Sequence, residues 1–193
     1  MRGPIVTLDR TVAYAFAGGQ TSDAGCIGSF EILRAENSGA EVLYTLPGDH
    51  TLAPGDEVRV AIDWERRYRI MRLHFAAELV LELVYQLFGR PEKIGANVTA
   101  EKARVDFVWQ GTIAETFPRL TDELARLVAA DLPIVSAFSD EAQQRRYWEI
   151  EGFARVPCGG THLRRTGEVG AVSLGRDNIG AGKERIEIRL RDA

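Results

Sequence analysis

From Pro4 to Ile62 the apolar residues come in short runs broken by Gly, Pro, Asp or Asn, a rhythm of strands and turns with no helical period. Five segments read as strands: Pro4 to Asp9, Thr11 to Phe16, Cys26 to Glu31, Glu41 to Leu46 and Asp56 to Ile62. The last alternates most clearly, with Val58, Val60 and Ile62 on one face and Glu57, Arg59 and Ala61 on the other. So many short strands in about 60 residues predict a small β-barrel or sandwich. The period changes at Asp63 to Trp64. Ile70, Leu73, Ala77, Val80, Leu81, Val84, Leu87 and Phe88 then recur at spacings of three and four, which predicts a long helix closed by Gly89 and followed by Pro91. Its apolar residues around Leu79 to Val84 cover more than one face, so the helix is expected to be buried.

Further on, Val105, Phe107 and Trp109 alternate within a predicted strand from Arg104 to Trp109. Pro118 opens a second helix that faces Leu120, Leu124, Leu127 and Val128 inward. Asp140 is expected to cap a third, shorter helix running through Tyr147, and strands are expected at Glu168 to Leu174 and Glu184 to Leu190. The whole reads as α+β: a small β-barrel-like N-terminal domain over residues 1–62, then an α+β domain over 63–193 with a long buried helix against an antiparallel sheet.

Composition narrows the chemistry more than the fold. The 193 residues are 45% hydrophobic and carry 24 Lys+Arg against 28 Asp+Glu, which is ordinary globular content. Leu79 to Phe88, the longest strongly apolar stretch, includes Glu82 and Gln86 and is too short and polar to span a bilayer. The first residues show no charged start followed by an apolar core, so a cytoplasmic protein with no membrane partner is expected. Two widely separated Cys form no disulfide framework, which leaves each as a core residue or a ligand.

With three His and two Cys, any metal or nucleophile chemistry draws on few residues. His74 and Glu78 lie four apart on the long helix and project from one face. Cys158 and His162 are also four apart, in a loop hinged by Gly159 and Gly160. Together they offer one thiolate, two imidazoles and one carboxylate, a set suited to tetrahedral zinc at about 2.0–2.3 Å. Against this, a single His on an apolar helix is more often a hydrogen-bonded core residue. Cys26 reads as a small buried hydrophobe and His50 as a bystander.

These residues also carry a resemblance. Asp63-Trp64-Glu65-Arg66-Arg67-Tyr68, Met71-Arg72-Leu73-His74, Cys158-Gly159-Gly160-Thr161-His162 and Thr166-Gly167-Glu168-Val169-Gly170 resemble the editing domain of alanyl-tRNA synthetase and its free-standing relatives, the AlaX trans-editing proteins. Phe16-Ala17-Gly18-Gly19-Gln20, with Asp23 and Gly25, is similar to the Gly-Gly-Gln segment that precedes that domain in longer AlaX forms. The resemblance implies hydrolysis of the ester that joins Ser or Gly to alanine tRNA, with zinc held by two helix His and by the Cys and His of the CGGTH loop. Carried over, the ligands fall on His74, Cys158 and His162, while the second helix His is replaced by Glu78. Glu78 then completes the site, leaves a position open for water, or marks loss of the metal. Phe75 stands where the family usually has Thr and would reshape a pocket that also includes Gly159, Gly160 and Thr161. Gln20 and Glu78 are the candidate catalytic groups, with zinc either activating water or anchoring the substrate's amino group. Gly18 and Gly19 supplying only a tight turn is the alternative for the first of these.

An RNA partner has to be reconciled with a net charge of -4. Residues 1–139 hold 14 Lys+Arg against 19 Asp+Glu, and residues 140–193 hold 10 against 9. Arg66, Arg67, Arg69 and Arg72 lead into His74, and Arg164 and Arg165 follow His162, so convergence of the two pairs would gather six Arg near one site. These are the candidate contacts to the acceptor end of aminoacylated alanine tRNA, with no DNA partner. Several are expected to pair instead with Glu65, Glu149, Glu151 or Glu168, giving modest, salt-sensitive affinity. The rival readings are a homologue that binds aminoacyl-tRNA without turnover, and a zinc esterase acting on a small aminoacyl substrate.

Overall fold

The structure, a computed structural model, describes residues 4–39 and 41–191. It is mixed α and β, with two α-helices and mainly antiparallel sheets. Six short strands come first: β1 (Ile5–Val6), β2 (Gly25–Ile27), β3 (Phe30–Glu31), β4 (Arg34–Ser38), β5 (Glu41–Thr45) and β6 (Val60–Ile62). They form two three-stranded sheets, β1-β5-β4 and β3-β2-β6, and no closed barrel among the described residues. The predicted strand from Asp56 shrinks to β6, because only Val60–Ile62 pair, with the three residues of β2. Thr11 to Phe16 forms no strand either. Tyr14 N–H donates to Asp23 Oδ2 at 2.7 Å and its carbonyl accepts from Asp23 N–H at 2.9 Å, so this backbone is satisfied locally. Ile27, Ala35, Tyr44 and Leu46 form the apolar centre of this part.

Helix α1 (Trp64–Leu87) starts where Asp63 Oδ1 accepts from Arg66 N–H at 3.0 Å. It ends at Phe88, after which Gly89 takes φ +80°, a left-handed turn that glycine tolerates. Ile70, Leu73, Phe75, Leu79, Val80 and Val84 are all buried, and they point to several faces, so the helix is enclosed on most sides. It packs on a four-stranded antiparallel sheet ordered β12-β13-β8-β7, built from β7 (Lys93–Val98), β8 (Ala103–Val108), β12 (Val172–Gly180) and β13 (Lys183–Leu190). Helix α2 (Phe117–Ala130), with Pro118 in its first turn, adds Leu120 and Leu124 to the same core.

The predicted third helix is a correction. Residues on both sides of Asp140 form the hairpin β9 (Val135–Asp140) and β10 (Arg145–Ile150), extended by β11 (Ala154–Pro157) into a third sheet. Asp140 does cap: its Oδ1 accepts from Gln143 N–H at 3.0 Å, but the capped unit is the hairpin turn. Residues 140–146 contain only Ala142 as an apolar residue, too little for a helical face, whereas Trp148 and Ile150 alternate into the core. Glu168 likewise lies in a 3-10 turn (Thr166–Val169), not in the strand that follows.

Candidate metal centre

The middle of α1 and the loop after β11 meet at one buried point. The Cys158 backbone N–H donates to Arg146 O at 3.0 Å, which fixes the loop to β10 as it leaves the sheet. The ligand atoms of His74, Cys158 and His162 then lie within 4.8 Å of one another. Glu78 is outside this trio but touches two of its members. Cys158 Sγ is 3.4 Å from His74 Nε2 and 3.6 Å from Glu78 Oε1, and His74 Nε2 is 3.7 Å from the same oxygen. Tetrahedral ligands at zinc distances of 2.0–2.3 Å would stand about 3.3–3.7 Å apart, so these three atoms already have ligand spacing.

Neighbouring groups orient the set. Ser136 Oγ on β9 lies 3.0 Å from His162 Nδ1, leaving His162 Nε2 buried without a partner. Trp148 Nε1–H on β10 donates to Glu78 Oε2 at 3.1 Å, which leaves Oε1 for the cluster. Burial, reinforced by His74 and Arg146, pulls the His162 imidazole down to about 3. Burial also lowers His74, against the opposing pull of Glu78. Burial and the Glu78 carboxylate push the Cys158 thiol up to about 12. Without an ion, then, the imidazoles are neutral and the thiol keeps its proton, which it offers to Glu78. A divalent cation supplies the positive charge that would favour the thiolate, so the donor set fits a metal of zinc type.

Residues 147–187 match the family described as the threonyl and alanyl tRNA synthetase second additional domain. The alanyl-tRNA editing protein AlaX-M of Methanosarcina acetivorans is 30% identical over 224 residues, covering 97% of this chain and 89% of that protein. The chain belongs to the AlaX family. AlaX-M of Pyrococcus horikoshii is 29% identical over 98% of this chain and 88% of its own length. The alanine–tRNA ligase of Ignicoccus hospitalis is 34% identical over 88% of this chain, but that match spans only 21% of the ligase.

Within this AlaX chain the Gly-Gly-Gln segment comes to the same place. Ala17 to Gln20 is a tight turn docked on the edge of β7: Val98 N–H donates to Gly19 O at 2.8 Å and Thr21 N–H to Val98 O at 3.0 Å. Gly19, at φ +85°, is needed there, because a Cβ would sit 2.6 Å from Ala96 O. The Gln20 side chain, buried, donates through Nε2 to Thr161 Oγ1 at 2.9 Å and accepts from Thr161 N–H at 3.3 Å through Oε1. Both ends of the amide therefore hold the CGGTH loop. Gly160 is equally constrained, since a Cβ there would lie 2.5 Å from His74 Cε1, whereas nothing stands within 4 Å of one on Gly159. Phe75 is fully buried, edge-on to Trp148 at 5.2 Å and to His162 at 6.0 Å, and it does not line the cleft that opens beside His162.

The six arginines do not gather as one free cluster. Arg66 donates to Ser22 O at 2.7 Å, and Arg67 pairs with Asp23, its Nε 2.8 Å from Oδ1. Arg69 and Arg72 donate to Ala100 O and Val169 O at 2.7 and 3.1 Å, and Arg165 pairs with Asp131 at 2.7 Å. Arg66, Arg67 and Arg165 thus hold Ser22, Asp23 and Asp131 in place of the Glu65, Glu149, Glu151 or Glu168 partners expected. Arg164 is exposed beside the cleft. Sequence reasoning missed Ser136, Arg146 and Trp148, carried by a hairpin whose segment from Asp140 through Tyr147 was expected as a helix. Cys26 lies in β2 as expected but is half-buried where a buried residue was expected.

Proposed function

We propose that the chain acts in trans as a deacylase of alanine tRNA carrying the wrong amino acid, Ser or Gly, through a zinc ion held by His74, Cys158 and His162 with Glu78 beside them. The observation that carries this reading is the convergence of two remote pairs on one point, one member of which, His162, lines an open cleft of about 560 Å3. Membership of a family whose relatives are named alanyl-tRNA editing proteins supports the substrate. When bound, zinc supplies Lewis acidity to an ester carbonyl or lowers the pKa of a water. The chain's own residues do the positioning. Ser136 holds Nδ1 of His162, Trp148 orients Glu78, and Gln20 holds Thr161 so that the loop keeps its place over His74.

The test is a panel of alanine tRNA charged with Ser, Gly or Ala. Release of Ser or Gly, with the Ala ester spared, is expected; no release above the uncatalysed rate for all three would sink the assignment. A second reading, aminoacyl-tRNA binding without turnover, follows from the carboxylate at position 78. Elemental analysis separates the two: about one zinc per chain, lost in His74→Ala, is expected of the hydrolase.

A further inference from the structure

The cleft beside His162 is lined by groups that hydrolysis itself does not use. Trp64, the first residue of α1, is 59% exposed, high for a side chain that is usually well covered. Its ring is nonetheless fixed, stacked on Tyr68 at 6.1 Å with the planes 22° apart, and the Tyr68 hydroxyl donates to Glu168 Oε2 at 3.1 Å. Glu168 is the one acid lining the cleft, and its other oxygen accepts the backbone N–H groups of Arg164 and Arg165 at 2.8 and 3.0 Å. Arg146 and Arg164 line the same cleft, and neither guanidinium meets a carboxylate among the described residues; Arg146 lies over the Phe138 ring at 5.7 Å. A flat aromatic face, two uncompensated cations and His162 of the ligand set thus line one opening, together with Thr161.

We propose that this wall is a nucleotide subsite: Trp64 stacks the terminal base of a 3′-aminoacylated RNA, and Arg146 and Arg164 take the neighbouring phosphates, so that the ester is presented over His162. The inference rests on the deacylase reading and deepens it. Stacking is tolerant of base identity, and the wall offers few free polar groups to read a base edge, so recognition here is of a nucleotide end and not of a sequence. The two arginines act on phosphate, which positions without specifying.

Intrinsic fluorescence gives a direct readout, because Trp148 is fully buried and Trp109 packs against Phe88, leaving Trp64 as the exposed indole of the three. Titration with the trinucleotide CpCpA is expected to quench wild-type emission saturably and to leave Trp64→Ala unaffected. With charged tRNA, Trp64→Ala is expected to raise KM by about 5- to 100-fold more than it lowers kcat, and Trp64→Phe to restore most of the loss. Replacing Arg146 and Arg164 together by Gln should flatten the log–log salt dependence of binding by about 1.4. An unchanged KM in Trp64→Ala, in a wild type that deacylates, overturns the subsite and leaves the deacylase reading standing. If wild type releases no amino acid from any charged tRNA, the deacylase reading fails alone, and the fluorescence decides the subsite: quenching lost in Trp64→Ala upholds it, and no quenching of wild type overturns it.

Discussion

Glu78 does two things that can be separated. Its Oε1 sits at ligand distance from its neighbours, 3.6 Å from Cys158 Sγ and 3.7 Å from His74 Nε2, while Oε2 accepts from the Trp148 indole at 3.1 Å. Glu78→Gln removes the charge but keeps an oxygen for Trp148; Glu78→Ala removes both. Outer partners of a metal site change affinity by about 10–100-fold, so a direct ligand should exceed that range. Glu78→Gln is therefore expected to weaken zinc binding by more than about 100-fold, read by competition with a chromophoric chelator at pH 7. Its metal-free stability should shift by less than about 1 kcal/mol, because the oxygen facing Trp148 is conserved. Glu78→Ala should lose as much zinc affinity and a further ~1–3 kcal/mol of metal-free stability in urea unfolding, since fully buried Trp148 is left with an unpaired N–H. Zinc affinity of Glu78→Gln within about 100-fold of wild type would refute ligation and leave Glu78 as the residue that holds Trp148.

Adjacent glycines supply a matched pair: Gly160→Ala should displace the His74 ring and cost zinc affinity, while Gly159→Ala should bind zinc as wild type does. Equal affinities in the two variants would contradict the packing of the loop on His74. Asp23 and Arg67 form a pair whose side chains are 3% and 11% exposed, so Asp23→Ala, which strands the guanidinium, should cost about 3–5 kcal/mol in urea unfolding. A loss below about 1 kcal/mol would show that the pair does not fasten the N-terminal segment to α1. Glu184, buried and bonded first by Arg176 and then by Ile113 N–H and Asn178, has its carboxyl held below the ordinary value of 4.5. A lowered native pKa gives stability that is complete above about pH 4.5 and is lost as pH falls through the native value. Glu184→Gln should accordingly be about 1.5–3 kcal/mol less stable than wild type at pH 7, with the gap narrowing below pH 4.5. A gap of constant size from pH 7 to pH 3 would argue against this.

Where local chemistry decides structure, the sequence was readable. Asp63 before an apolar run and Gly89 after it bracket α1 to within a residue, since capping and left-handed closure act over three or four positions. His74, Cys158 and His162 stood out because the chain has so few other ligands to offer. The hairpin from Val135 to Ile150 was missed because an Asp that accepts from the N–H three residues on serves a turn as well as a helix. That error hid Arg146 from the site, and Ser136 and Trp148 lie in the strands on either side of the misread segment. Strands β4 and β7 were missed for a different reason: Arg34–Ser38 is mostly exposed and polar, and β7 carries Gly95, so neither shows a clean apolar alternation. The arginine partners were out of reach in principle, since Arg67 meets Asp23 across 44 positions and no local pattern encodes such a pair.

The fate of those arginines bears on how such a chain would meet its substrate. Five of the six predicted contacts donate to acceptors of the protein itself, and the uncompensated cations lining the cleft are Arg146 and Arg164. Two phosphate contacts to a single strand give a salt slope of only about −1.4, far below that of proteins that bind nucleic acid through many cations. With a net charge of -4, the rest of the surface adds no general attraction for RNA. Affinity for the proposed substrate must then come from its end: the base on Trp64 and the ester at the His74, Cys158 and His162 cluster. A site organised as proposed would engage the aminoacylated terminus and grip the body of the tRNA weakly, as a deacylase that acts on a released molecule and has to let it go would need.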